Sequence, residues 1–222
     1  MRTLVPPVNA WSRYTLSRVG PSQLLTTHVT NPDQILLTAQ ELSDFAQWSA
    51  TVWLTPRESL TLRDHAVMAL GLAGESGEVA TALQDSALAK MALPALHKEL
   101  GDALYYCARI ANVFALTLPS MGVQVPLALP AFGQVPLNAA ALFIAAGRVS
   151  ERVKKLLRDG VLPENEATFK EALTQELCAY VRAWLGIVAC TPWAPQGVLE
   201  GNRQKLEYRK ARGVLRGSGD DR

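Results

Sequence analysis

Apolar residues recur at three- and four-residue spacing along most of the chain, and no stretch alternates apolar with polar residues. That pattern predicts amphipathic helices and no strands. Leu42, Phe45, Ala46, Ser49 and Val52 form one stripe, which places a helix from Thr38 to about Trp53. Thr55 and Pro56 mark a break and restart, with Thr55 as N-cap and Pro56 in the first turn. A second helix runs from Thr61 to about Ala89, with Met68, Leu72, Val79 and Ala82 in one row. Pro94 opens a third, to about Leu116, whose row is Leu96, Leu100, Ala103 and Cys107. A fourth spans Asn138 to Arg158 and stops at Asp159, Gly160 and Pro163. A fifth spans about Glu164 to Val188, where Pro192 and Pro195 break it, and a last one covers about Gly197 to Lys210. The expected fold class is all-α, a helical bundle of two degenerate halves. Residues 1–37 form an extension, 38–118 a first helical half, 119–137 a Pro-rich linker and 138–222 a second half.

Two of these helices carry acidic residues against the grain of their stripes. Glu75 and Glu78 lie three apart on the second helix, Glu99 and Asp102 three apart on the third. Residues at i and i+3 share a face, and both pairs border the apolar rows that two such helices press together. Four ionised carboxylates about 5 Å apart make six repulsions of about 3 kcal/mol each at an effective dielectric of about 20, on the order of 20 kcal/mol in all. A domain has only about 5–15 kcal/mol of net stability. The carboxylates must therefore splay into solvent, take up protons or bind cations. All-oxygen ligands select hard ions, which makes Mg²⁺, with Mn²⁺ as the substitute, the expected occupant.

The remaining composition narrows the setting. The 222 residues carry a formal net charge of +2, with no basic block or aromatic–basic interleaving that would suggest nucleic acid. Three cysteines, Cys107, Cys178 and Cys190, lack metal-ligand spacing and read as buried thiols of a cytoplasmic protein. The first ten residues have no continuous apolar run, so no signal peptide is expected. The longest uncharged stretch, Ile110 to Gly147, is broken by Pro119, Pro126, Pro130 and Pro136, which reads as a linker rather than a membrane span.

A faint repeat links the halves. Aligned on Ala-Gly, Glu75 matches Arg148 and Glu78 matches Glu151; aligned on Glu-Leu, Glu99 matches Glu176 and Asp102 matches Ala179. The intervals are similar, 21 residues from Glu78 to Glu99 and 25 from Glu151 to Glu176. The second copy keeps two carboxylates and loses two. Other groups have plainer readings. Lys154 and Lys155 read as solvated. Gln47, Trp48 and Trp53 read as core or surface by default. His65 and His97 lack the Glu-x-x-His spacing of a di-iron bundle, because Leu62 and Pro94 stand three before them.

The segments Gly71–Ala80 and His97–Tyr106, with Glu-x-x-Glu followed by Glu-x-x-Asp, resemble the paired acidic motif of MazG-like all-α nucleoside triphosphate pyrophosphohydrolases, whose relatives include the dimeric dUTP pyrophosphatases. Asn202 to Arg209 resembles that family's Asn-x-x-Lys-Leu-x-x-Arg segment. Phe45 to Trp53 resembles its first helix, and Arg212 to Arg222 the ending of some members. The likeness covers about residues 40–115 and 197–222. It implies Mg²⁺ on Glu75, Glu78, Glu99 and Asp102, with Glu75 or Glu78 also acting as catalytic base. It implies phosphate contacts from Asn202, Lys205 and Arg209, base contacts from Gln47 or Trp53, and cleavage between the α- and β-phosphates. The partner would be a nucleoside triphosphate, with no nucleic acid and no membrane, in a homodimer or in a monomer of two pseudo-symmetric halves. Asn202 follows Ala179 by 23 residues but Asp102 by 100, so the second half reads as a fused partner that completes one site per chain. The degraded second copy keeps a non-catalytic nucleotide-binding or scaffold protein open as the alternative, with a di-iron protein as a third.

Overall fold

The computed structural model describes residues 34–89, 93–124, 134–160 and 163–215. Most of the expected extension, part of the linker and the Gly217–Arg222 tail lie outside them. The described chain is an all-α bundle of six helices: α1 (Ala39–Thr51), α2 (Leu62–Ala89), α3 (Leu93–Val113), α4 (Gln134–Asp159), α5 (Glu166–Val188) and α6 (Pro195–Ala211). Among the described residues no helix is long and apolar enough to cross a membrane.

Local chemistry sets the helix starts. Thr38 and Glu41 form a capping box for α1: the Glu41 N–H donates to Thr38 Oγ1 at 3.1 Å, and the Thr38 N–H donates to Glu41 Oε2 at 2.8 Å. Thr55 does not cap the next helix. A 3₁₀ turn at Arg57–Ser59 intervenes, and Thr61 with Asp64 supplies the reciprocal bonds at the head of α2. Pro195, expected to break α5, instead sits in the first turn of α6, where its missing N–H costs nothing. Pro136 likewise lies near the start of α4, which begins four residues before the expected Asn138.

The bundle also carries a small sheet that the spacing does not announce. Gln34–Leu37 (β1) and Met121–Gln124 (β2) pair antiparallel, Leu37 opposite Met121. Each strand is four residues long and buries one side chain at its end, so neither shows the alternation that a half-buried strand displays. The pairing joins part of the expected extension to part of the expected linker. Ala39 N–H also donates to Ser120 Oγ at 2.9 Å beside it.

The helices form two antiparallel hairpins. Gly71 meets Tyr106 while Glu75 neighbours Asp102, so α2 and α3 run in opposite directions. Asn138 meets Gly186 while Arg148 faces Glu176, which sets α4 against α5 in the same way. The hairpins meet along α2 and α4, where Ser150 Oγ donates to Ala69 O at 3.1 Å. Shifting that pair by the 73 positions separating Glu75 from Arg148 predicts Leu142 facing Gly77. The next residue, Phe143, lies over Gly77 instead, so the two-fold match misses here by one position. Deep in the core, Trp184 Nε1 donates to Leu100 O at 2.9 Å, and Ser76 Oγ shares a hydrogen bond with Tyr180 OH at 3.0 Å. Both polar tips are thereby satisfied where water cannot reach.

Candidate metal and nucleotide site

The acidic pairs come together where α2 crosses α3. Met68, Leu72, Val79 and Ala82 on α2, and Leu96, Leu100, Ala103 and Cys107 on α3, are all buried. This leaves the adjoining carboxylates at the edge of the seam. One oxygen each from Glu75, Glu99 and Asp102 lies within 4.8 Å of the other two. Glu78 is exposed and falls outside this trio, on the wall of the same cavity.

The trio is under electrostatic load. Burial, then the charges of Asp102, Glu78 and Glu99, push the Glu75 carboxyl up to about 8, and Lys205 opposes them. Burial also raises Glu99, against the Lys98 ammonium 2.9 Å from its Oε1. Glu99 is 7% exposed, and its Oε2 is buried with no hydrogen-bond partner. A carboxylate oxygen held out of water and unpaired is costly, and a hard cation would satisfy it. The donor set of three carboxylates fits Mg²⁺ or Mn²⁺.

Helix α6 closes one side. It packs on α3 through two glycines. A Cβ on Gly101 would come within 2.9 Å of Asn202 Cβ, and one on Gly201 within 2.7 Å of His97. The close approach carries Asn202 and Lys205 onto Asp102. Asn202 Nδ2 donates to Asp102 Oδ1 at 2.7 Å, and the Lys205 ammonium contacts both oxygens of the same carboxylate. Arg209, one turn further along, is buried in the cavity wall.

The cavity itself has a volume of about 1050 Å³. Glu75, Glu78, Glu99 and Asp102 line it together with the rings of Trp53, Tyr105 and Tyr106. Trp53 lies 6.3 Å from Tyr106, ring to ring and nearly perpendicular, and its Nε1 donates to Asp64 Oδ1 at 3.3 Å. The size suits a ligand of nucleotide dimensions.

Not every candidate reaches this cavity. Gln47 lines a separate cavity of about 370 Å³ between α1 and α3, and its amide donates to Ser43 Oγ at 3.3 Å. Trp48 joins α1 to α6: its Nε1 donates to Glu207 at 2.9 Å, and Arg203 lies over its ring. His65 is hydrogen-bonded to Thr61 O, His97 packs edge-on to Trp193, and neither belongs to the trio. Lys154 and Lys155 pair with Glu151 on exposed surface.

Sequence reasoning passed over several neighbours. Tyr105, Tyr106 and Arg109 continue the face of Glu99 and Asp102 at steps of three and four, and that row is the signal that could have found them. Arg109 is 0% exposed, lies 5.6 Å over the Trp53 ring and donates to Asn112 Oδ1 at 2.6 Å. Gly71 leaves room for the Tyr106 ring, which any Cβ there would strike. Comparison with protein-family models, curated proteins and solved structures returns no match.

Proposed function

We propose that this chain is an Mg²⁺-dependent nucleotide pyrophosphohydrolase that cleaves an NTP or dNTP between its α- and β-phosphates, yielding a monophosphate and pyrophosphate. The observation that carries the reading is the buried, unpaired Glu99 Oε2 within a three-carboxylate cluster that lines the same cavity as Trp53, Tyr105 and Tyr106. Resemblance to the MazG-like enzymes in the two acidic segments and in Asn202–Arg209 supports the same chemistry.

Glu75, Glu99 and Asp102 would hold the ion. When bound, it would supply charge neutralisation for the phosphates and a more acidic water. Glu78, on the cavity wall outside the trio, would orient that water as base. Lys205 and Arg209 would take the charge of the departing pyrophosphate, with Asn202 as a fixed polar contact. Trp53 and Tyr106 would receive the base. The second hairpin would act as a fused, metal-free partner that delivers α6 to the first.

The test is a panel of canonical and modified NTPs and dNTPs with Mg²⁺, scored for products. Monophosphate and pyrophosphate are expected, and turnover is expected to vanish in EDTA. Orthophosphate as the primary product, or full turnover in EDTA, would reject the reading. A non-catalytic nucleotide-binding protein is the second reading, favoured by the engagement of Asp102 with Lys205 and Asn202. Nucleotide binding without pyrophosphate release would establish it.

A further inference from the structure

Asp102 is claimed twice. It belongs to the trio that would hold a cation, and it is also the partner of Lys205, whose ammonium spans both carboxylate oxygens. Asn202 donates to Oδ1 as well, so α6 engages the whole carboxylate. A divalent ion and an ammonium cannot share that group at bonding distance without strong repulsion. Glu99 keeps a buried oxygen with no partner, whereas Asp102 keeps none. Of the two groups that hold Asp102, the lysine is the one whose charge opposes a cation there.

The two α6 groups differ in freedom. Asn202 is 3% exposed and packs directly on Gly101, so it stays where the helix crossing holds it. Lys205 carries its charge on a flexible four-carbon stem, and its side chain keeps 20% exposure beside the cavity. It can leave Asp102 by stem rotation alone, with α6 fixed.

We propose that Lys205 is an exchangeable internal counter-ion: it neutralises Asp102 when no divalent ion is bound, and a cation joining Glu75, Glu99 and Asp102 releases it to an anionic ligand in the cavity. This rests on the trio being a cation site, as above. It adds an order of events. The cation binds first and frees the lysine, and only then does a polyphosphate find the ammonium available. A latch closed about nine-tenths of the time weakens apparent cation affinity about tenfold, and removing the latch restores it.

The full chain can be tested by calorimetric titration with Mn²⁺, wild type against Lys205→Met, which keeps the stem and removes the charge. Lys205→Met is expected to bind Mn²⁺ about tenfold more tightly. Amine labelling of the wild type, read by mass spectrometry, is the second measurement and needs no variant. Lys205 is expected to be protected in EDTA and labelled several-fold faster in Mn²⁺. Unchanged or weaker Mn²⁺ binding in the variant would overturn the exchange, as would labelling that ignores Mn²⁺. Absence of Mn²⁺ binding to either chain would instead strike the trio reading on which the exchange depends. Should the variant fail to fold, the labelling decides alone.

Discussion

The α2–α3 and α4–α5 hairpins bring ionisable groups to matching places and dispose of them in opposite ways. In the first, Glu75, Glu99 and Asp102 converge, one of their oxygens is buried without a partner, and the Glu75 carboxyl is pushed far above its ordinary range. In the second, Arg148 stands where Glu75 would be, and Ala179 where Asp102 would be. Glu176 there lies 3.8 Å from Arg148 and 3.9 Å from Arg152, and Glu151 pairs with Lys154 and Lys155 at the surface. One hairpin concentrates negative charge at a seam and the other balances it locally. Both are antiparallel helix pairs, so the difference in charge lies in a few side chains rather than in the architecture.

The strongest way to break this contrast is to remove a carboxylate from the first hairpin. Asp102→Ala or Glu99→Ala is expected to lower turnover by at least about 10²–10³-fold. It should also abolish the rise in melting temperature expected from Mg²⁺ binding to the folded state. Circular dichroism should show the helices intact. Product assays and thermal melts with and without Mg²⁺ decide the matter, and full activity in either variant would remove these residues from the site.

The pH dependence sharpens the same contrast. The ordinary value for Glu75 is 4.5, and in the folded chain it lies at about 8, so the native state holds a proton that the unfolded chain has released. Without divalent ions, the contribution of Glu75 to stability is complete below about pH 4.5 and is lost as pH rises through about 8. A cation needs Glu75 ionised, so the Mg²⁺-induced rise in melting temperature should be larger at about pH 8.5 than at about pH 6. Glu75→Gln should flatten both trends. A Mg²⁺ shift independent of pH in the wild type would mean that Glu75 is not a ligand.

The helices and the acidic pairs were legible because both depend on local spacing. Leu42, Phe45 and Ala46 announce α1 within two turns, and Glu75 with Glu78 announces a shared face. The small sheet was not legible, since Gln34–Leu37 and Met121–Gln124 gain their conformation from each other across more than eighty residues. Nor was the grip of Lys205 and Asn202 on Asp102, which depends on how two glycines let α6 settle on α3. Arg109 was missed for a different reason: one charge in the row Cys107–Ala111 resembles a solvated interruption until its burial under Trp53 is seen.

That helix crossing offers a smaller effect. The position matching Gly101 in the second hairpin is Cys178, which carries a side chain. Gly101→Ala would put a methyl group 2.9 Å from Asn202 Cβ and should cost about 1–3 kcal/mol through overpacking. Displacing α6 should also break the Asn202–Asp102 hydrogen bond and weaken polyphosphate binding. Denaturant melts and nucleotide titrations measure the two separately. A variant as stable as the wild type, with unchanged affinity, would show that the crossing is looser than the geometry indicates.

The smallest effect belongs to the second hairpin. Glu176→Ala removes a carboxylate that aligns with Glu99 but whose surroundings are cationic rather than acidic. Its two arginine contacts lie at the outer limit of ion pairing, and Arg148 is mostly exposed. Pairs of that kind are worth less than about 1 kcal/mol, because solvent screens the charges and the long side chains lose freedom in meeting. The variant should melt within a few degrees of the wild type, keep its full Mg²⁺ response and retain turnover. The double variant Glu176→Ala with Asp102→Ala should then behave as Asp102→Ala alone, since the two groups share no partner. If Glu176→Ala instead erased the Mg²⁺ response, the cation would depend on both hairpins. The charge balance around Arg148 would then be part of the site rather than a replacement for it.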